Sequence, residues 1–377
     1  MLELTKCLYH ILTNSELRWK TIQLTTAHEE CNPFITYEAD DVLEVGLTKQ
    51  TYLGLFKECH TYWHKHVAGK VEELVSNADE QKLWDLYFVT LGYLITTNEN
   101  HTVIYLHEMV TFEIYKKYDK EVIHKDFEII TAYISSRLKR INKSSSLWFW
   151  IQKLTILVVY DPWIKGADTT KYYQKLLDRM FKSCQLHFAN YYAANFMKWL
   201  ANINYVLGKN DMGLLEHLTD KCHEHLTDVS LWTSLASILQ RGSLHDVLKY
   251  SVEMYQEISD QLEKLANLSI QKEKLSLTTH NIQGSNHKPL SFDNSFVMKQ
   301  LKWLVGVECV VYTPYNVMVS TILIMGKETD IIECGDYLRA IHKQIETELP
   351  KFESNSTIHP KKKKYYEVLG KVLEMLI

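Results

Sequence analysis

Asn190–Leu200 reads NYYAANFMKWL, polar at its start and amphipathic within one helical turn. Tyr192, Phe196, Trp199 and Leu200 recur at helical spacing, which predicts an inward face. Asn190 is a residue type that caps helix starts, and Gly208 supplies a stop. Three other stretches share the plan of a polar start, an anchor and an apolar tail: NENHTVIYLHEMVTF around Tyr105, SSSLWFWIQKLTIL around Trp148 and DVSLWTSLASILQ around Trp232. With Ala194 as the anchor of the opening stretch, the copies recur at a period of about 40 residues, which suits one helix pair per unit. TPYNVMVSTILIM, with Val317 or Met318 at the anchor, is a weaker copy.

Composition agrees with helices. The 377 residues are 46% hydrophobic but include only 13 Gly and 6 Pro, so few turns are enforced. The net charge of −4 gives no general attraction to nucleic acid or anionic membrane. Seven dispersed Cys without a CxxC pair read as reduced, mostly core thiols of a cytosolic or nuclear protein, with the cytoplasm as the expected location. MLELTKCLYHILTN reads as a short amphipathic helix without the basic n-region of a signal peptide. LWDLYFVTLGYLI and LWFWIQKLTILVVY fall short of the roughly 20 residues that span a bilayer, so no transmembrane segment is expected.

Along the chain, residues 2–13 read as a helix and 21–45 as irregular, with Pro33 and an acidic EADD. Thr48 caps a helix expected to turn Leu53, Phe56, Cys59, Trp63 and Val67 inward, and Asp79 caps the next. Further helices fall at 101–118, 123–141 and 146–160, after which YDPWIKGAD interrupts. Asp168, Asp211, Asp228 and Ser243 open others. Residues 273–292 lose the period and read as a mobile insertion, with helices resuming at 294–309, 314–326, 328–348 and 361–376. No alternating strand pattern is evident. The expected fold is all-α, a superhelix (solenoid) of antiparallel helical hairpins in a single domain over 1–377. It has an N-terminal extension 1–47, repeats at 80–272 and 294–348, and a C-terminal basic helix 361–377.

These residues resemble the α subunits of protein prenyltransferases, whose repeats run Asn-Tyr-x-x-Trp-x-x-Arg into an apolar helix. Asn190, Tyr191 and Trp199 fit that motif, while Ala194 and Met197 replace its Trp and Arg. Trp148 and Trp232 match the repeat Trp, with Ile151 and Leu235 at the Arg positions; Tyr105 and Glu108 stand at the first copy. Val42, Leu43, Glu44 and Leu47 are similar to the segment before the repeats in the diverged branch called prenyltransferase α-subunit repeat-containing protein. The resemblance implies an α-like, non-catalytic specificity subunit of a heterodimeric geranylgeranyltransferase of a third type. Its partner would be a β subunit holding the zinc and the isoprenoid diphosphate. Its protein substrate would be a SNARE-type protein modified on cysteine. Tyr105, Trp148, Asn190, Tyr191, Trp199 and Trp232 become the repeat-motif, partner-facing candidates. Ala189, Met197 and Leu235 supply no cation where a diphosphate would need one, so no catalytic residue, cofactor or metal ligand is assigned to this chain. The alternative is a helical-repeat interaction scaffold without transferase activity.

Two His-rich stretches and one basic run complete the reading. CHTYWHKH puts His60 and His64 on one helix face beside Cys59, yet without a second ligand pair for zinc. KCHEH turns Cys222 inward and His223 and His225 elsewhere. Lys361–Lys364 adjoin Val368, Leu369, Val372 and Leu376, either a capping helix with solvated lysines or a site for anionic lipid or nuclear import.

Overall fold

The computed structural model describes residues 2–26, 32–67, 69, 71–209, 212–240, 245–272, 275 and 293–352, and then 358–376. It is mainly helical and divides into two compact units. Unit 1 is Met1–Phe196 with Glu253–Lys274, and unit 2 is Met197–Val252 with Leu275–Ile377.

Unit 1 begins with α1 (Glu3–Asn14), which buries Thr5, Leu8, Tyr9 and Leu12 at helical spacing. Its first turn is closed by Glu58, whose carboxylate accepts from the Leu4 and Thr5 backbone N–H groups at 3.2 and 2.7 Å. Next comes a sheet where irregular chain was expected: β1 (Trp19–Leu24), β2 (Phe34–Ala39) and β3 (Val42–Leu47), in the order β1-β3-β2. β1 runs parallel to β3, and β2 pairs with β3 antiparallel, Ala39 opposite Val42. The two residues between, Asp40 and Asp41, take φ of 48° and 65°. Positive φ at both loop residues is the hairpin geometry that matches strand twist, and Asp tolerates it better than most side chains. The acidic EADD is therefore a tight turn. Val42, Leu43, Glu44 and Leu47, aligned above with a prenyltransferase segment, form the central strand. The outer edge of β1 is closed by Ile22 O, which accepts from Arg137 N at 2.8 Å, and by Ser135 Oγ, which donates to Lys20 O at 2.8 Å.

The helices of unit 1 are α2 (Lys49–His66), α3 (Val71–Ser76), α4 (Glu80–Thr96), α5 (His101–Lys117), α6 (Val122–Ile134), α7 (Lys139–Asn142), α8 (Ser145–Thr155), α9 (Asp161–Ile164) and α10 (Thr170–Leu186). Thr48 and Asp79 cap α2 and α4 as expected. The inward face of α2 is rotated from the expected one: Thr51, Leu55, Cys59 and Tyr62 are buried, and Leu53 is 55% exposed. The cause is close packing against α1 and α4. At Gly92 of α4 an added Cβ would run into Cys59 Sγ and Thr5 Oγ1, so only glycine permits this approach. YDPWIKGAD is helical as far as Ile164, reached through a π-turn (Ile156–Tyr160) and α9, whose Pro162 occupies the first turn where its missing N–H costs nothing; the expected interruption falls at residues 165–169.

The unit boundaries fall inside α11 (Tyr191–Val206) and α14 (His245–Ala266). Unit 2 adds α12 (Met212–Glu224), α13 (Val229–Leu239), α15 (Asn294–Gly306), α16 (Tyr312–Met325), α17 (Glu328–Glu348) and α18 (Ile358–Leu373). His223 stacks on Trp303 with ring centroids 3.6 Å apart, and Tyr315 donates to Leu304 O at 2.9 Å. In α18, Tyr365, Val368, Leu369 and Val372 are buried. Lys361, Lys363 and Lys364 are exposed, and Lys362 pairs with Glu308. Expectations for Asp211, Ser243 and nearly all of 273–292 lie outside the described residues. Among the described residues no helix is long and apolar enough to cross a membrane.

Candidate functional site

The period of about 40 residues corresponds to a row of capped helix starts. Asn100, Ser144, Asn190 and Asp228 precede α5, α8, α11 and α13, and their carbonyls accept from Ile104, Trp148, Ala194 and Trp232, respectively. The anchor of the first copy is thus buried Ile104; Tyr105 is 39% exposed and donates to Glu72 at 2.9 Å. Trp148, Trp199 and Trp232 are interior, as are Ala194, Met197, Ile151 and Leu235, the positions compared with a Trp or Arg of the prenyltransferase motif. A buried Arg without a counter-charge would be costly there, which explains the apolar residues. Glu108 is buried as well and pairs with Lys153 at 2.7 Å.

Asn190 is part of a polar cluster in unit 1. Its Nδ2 donates to Asn142 Oδ1 at 2.6 Å and to Ser183 Oγ at 3.1 Å, while its Oδ1 accepts from Ala193 N at 3.3 Å. Ala189, held at φ 53°, turns the chain so that Asn190 enters the interior. Replacing Asn190 with Ala removes a cap and leaves buried partners under-bonded; the expected loss is about 2 kcal/mol by urea unfolding. Asn190→Asp, which keeps the cap acceptor, separates the two contributions. An Ala variant as stable as the parent would show that the cluster is not stabilising.

A Thr-His-Asp array also occurs. His107 Nδ1 lies 2.8 Å from Thr90 Oγ1 and its Nε2 3.1 Å from Asp126 Oδ1. All three residues are 0% exposed, and Asp126 also accepts from Tyr87 and Trp150. With no route for a substrate and every group engaged, this array is a core network. Burial, reinforced by the Asp126 charge, pushes the Tyr87 phenol well above its usual range. His60 and His64 do come together, ring centroids 4.3 Å apart, but Cys59 faces Thr5. No group of three or more His, Cys, Asp or Glu among the described residues is placed to hold a metal ion.

One cleft open to a ligand, of about 1120 Å³, lies in unit 1. Its walls are the α4–α5 connection (Thr96–Thr102), the α7 turn with Lys139, Arg140 and Lys143, and Tyr192. Ile141 and Asn142 anchor α7 in the interior, so the flanking cations project outward. Asn98 Nδ2 donates to Arg140 O at 3.0 Å and Ser144 Oγ to Asn98 O at 3.3 Å, which pins the two walls together. Lys143 Nζ donates to Phe188 O at 3.0 Å. Among the described residues Lys139 and Arg140 form no ion pair. Among the described residues Glu99 is the one carboxylate lining the cleft, and it is engaged by neutral donors: Asn98 Nδ2 at 3.3 Å and Ser145 Oγ at 2.8 Å. Tyr192, expected to point inward, is 38% exposed, whereas Phe196, Trp199 and Leu200 are buried. The sequence signal for this site is RLKRINK, residues 137–143, which lies beyond α6: that helix ends at Ile134 instead of continuing to 141, and the basic stretch forms the separate α7.

What fold and cleft define is a helical protein with a small mixed sheet and a basic, solvent-open cleft. Residues 1–135 match the ECM9 N-terminal domain and residues 147–262 the ECM9 middle domain. Protein ECM9 of Saccharomyces cerevisiae is 31% identical over 214 residues, 54% of this chain and 51% of that protein, so the chain spans about half the length of the curated relative it matches. No solved structure matches the chain. These findings overturn the prenyltransferase resemblance and, with it, the geranylgeranyltransferase role and the β-subunit partner. The physical reason for the misreading is that a polar cap followed four residues later by a buried anchor describes many helix starts. It does not specify a family.

Proposed function

We propose that this chain binds an anionic ligand, one bearing phosphate or clustered carboxylates, in the cleft of unit 1. The observation that supports the reading is the unspent charge of Lys139 and Arg140 beside Lys143, against one occupied carboxylate. A guanidinium presents a planar fork that matches phosphate and carboxylate, and two free cations in one concavity gain more from an anion than from water alone. The volume suits an organic ligand larger than a bare ion, since ligand pockets run to several hundred Å³. The start of α5 adds its dipole but few donors, because Asn100 already accepts from Thr102 N and Val103 N. The capped starts at Asn100, Ser144 and Asn190 support hairpins stacked in the manner of a solenoid within unit 1, and free thiols support a cytoplasmic setting.

Titration calorimetry with inorganic tripolyphosphate at low ionic strength tests the proposal. The double variant Lys139→Glu with Arg140→Glu should weaken binding at least about tenfold, which is about 1.4 kcal/mol, with an unchanged melting temperature because both side chains are exposed. Equal binding by parent and variant, or none by the parent, would sink it.

A further inference from the structure

We propose that the anion is a nucleoside phosphate, with its base stacked on Tyr192 and its phosphate held by Arg140 and Lys139; this rests on the anionic-ligand reading above. The cleft sets an exposed aromatic ring among three cations, and the aromatic surface continues beyond it. The Tyr191 ring lies 5.6 Å from that of Tyr192, edge to face. Tyr191 is 64% exposed and Phe188 58% exposed, and Phe188 O holds the Lys143 ammonium. A lone exposed aromatic needs no explanation. Two exposed tyrosines in ring contact beside three cations, with Phe188 joined to one of those cations through its carbonyl, form the pairing that recognises bases and phosphates together. Every base offers a π-face, and stacking on an aromatic side chain gives affinity without sequence readout. An acidic or phosphorylated peptide would use the cations but leave the Tyr192 ring without a matching planar partner. The net charge of −4 excludes a long non-specific nucleic-acid track but not one local site, because screening confines these charges to about 10 Å.

The test uses the full chain with ATP, tripolyphosphate, octauridylate and a phosphoserine peptide as probes, and the variants Tyr192→Ala and Tyr192→Phe. ATP or octauridylate should bind about tenfold tighter than tripolyphosphate; Tyr192→Ala should abolish that advantage and Tyr192→Phe retain it. Tripolyphosphate affinity should be the same in all three proteins. If octauridylate outbinds ATP, the source is a single strand; if ATP outbinds octauridylate, it is a free nucleotide; either result supports the inference. Tripolyphosphate binding as tightly as ATP, with Tyr192→Ala without effect, overturns the inference and leaves the anionic-ligand reading standing. So does tight binding of the phosphoserine peptide without ATP binding. Failure of every probe overturns both.

Discussion

Replacing Asp126 with Ala lowers the unfolding free energy by about 3–5 kcal/mol, read from the urea midpoint. Asp126 accepts from Trp150 Nε1 at 2.7 Å and Tyr87 Oη at 2.8 Å, and faces His107 Nε2 at 3.1 Å. All four residues are 0% exposed. Alanine would leave three polar groups in an apolar surround, where an unmet hydrogen bond costs its full desolvation. The partners come from α4, α5 and α8, so the loss loosens several helix contacts at once. Asp126→Asn keeps the shape and one acceptor oxygen and should cost less than half as much. If Asp126→Ala shifts the midpoint by less than the equivalent of about 1 kcal/mol, the network does not hold these helices together.

The second large effect is expected at Glu128. Its carboxylate meets Lys20 Nζ at 3.1 Å, Lys175 Nζ at 2.7 Å and Arg179 Nη2 at 2.6 Å. Arg179 is 0% and Lys20 2% exposed, so Glu128→Gln strands buried cations and should cost about 3–5 kcal/mol. Burial by itself would raise the Glu128 pKa; Arg179, Lys20 and Lys175 outweigh it and hold the carboxyl at about 2, against 4.5 for an ordinary glutamate. A depressed carboxyl stabilises the fold fully above its unfolded value, so this contribution is present above about pH 4.5 and lost as pH falls toward about 2. Lys20 moves the other way. Burial and the neighbouring cations push its ammonium down to about 8, although Glu128 opposes the shift. The pair is thus favourable for the carboxylate and costly for the lysine, as expected where one anion serves three cations. The lysine's cost is relieved as pH rises from about 8 toward 10.5. Urea midpoints followed against pH should show an acid limb in the parent that flattens in Glu128→Gln. An identical limb in both would assign the acid sensitivity to other carboxyls.

The sequence by itself determined what depends on neighbours along the chain. Caps at Thr48, Asp79 and Asp228 were legible because a side-chain oxygen meets an N–H two or three residues on. Phe196, Trp199 and Leu200 were legible as core because helical periodicity places them on one face. The tertiary structure decided whatever joins distant residues. β3 became a strand by pairing with β1 as well as with its hairpin partner, and the aspartate turn lacks the glycine that marks most such hairpins. The Glu128 cluster unites Lys20, Glu128, Lys175 and Arg179, a set no local pattern connects. Tyr192 has the same spacing as its buried neighbours, yet it lines the cleft with residues near 97 and 140, which end short of covering it. Periodicity fixes which side chains share a helix face; only the elements packed against that face decide where burial stops and a binding surface begins.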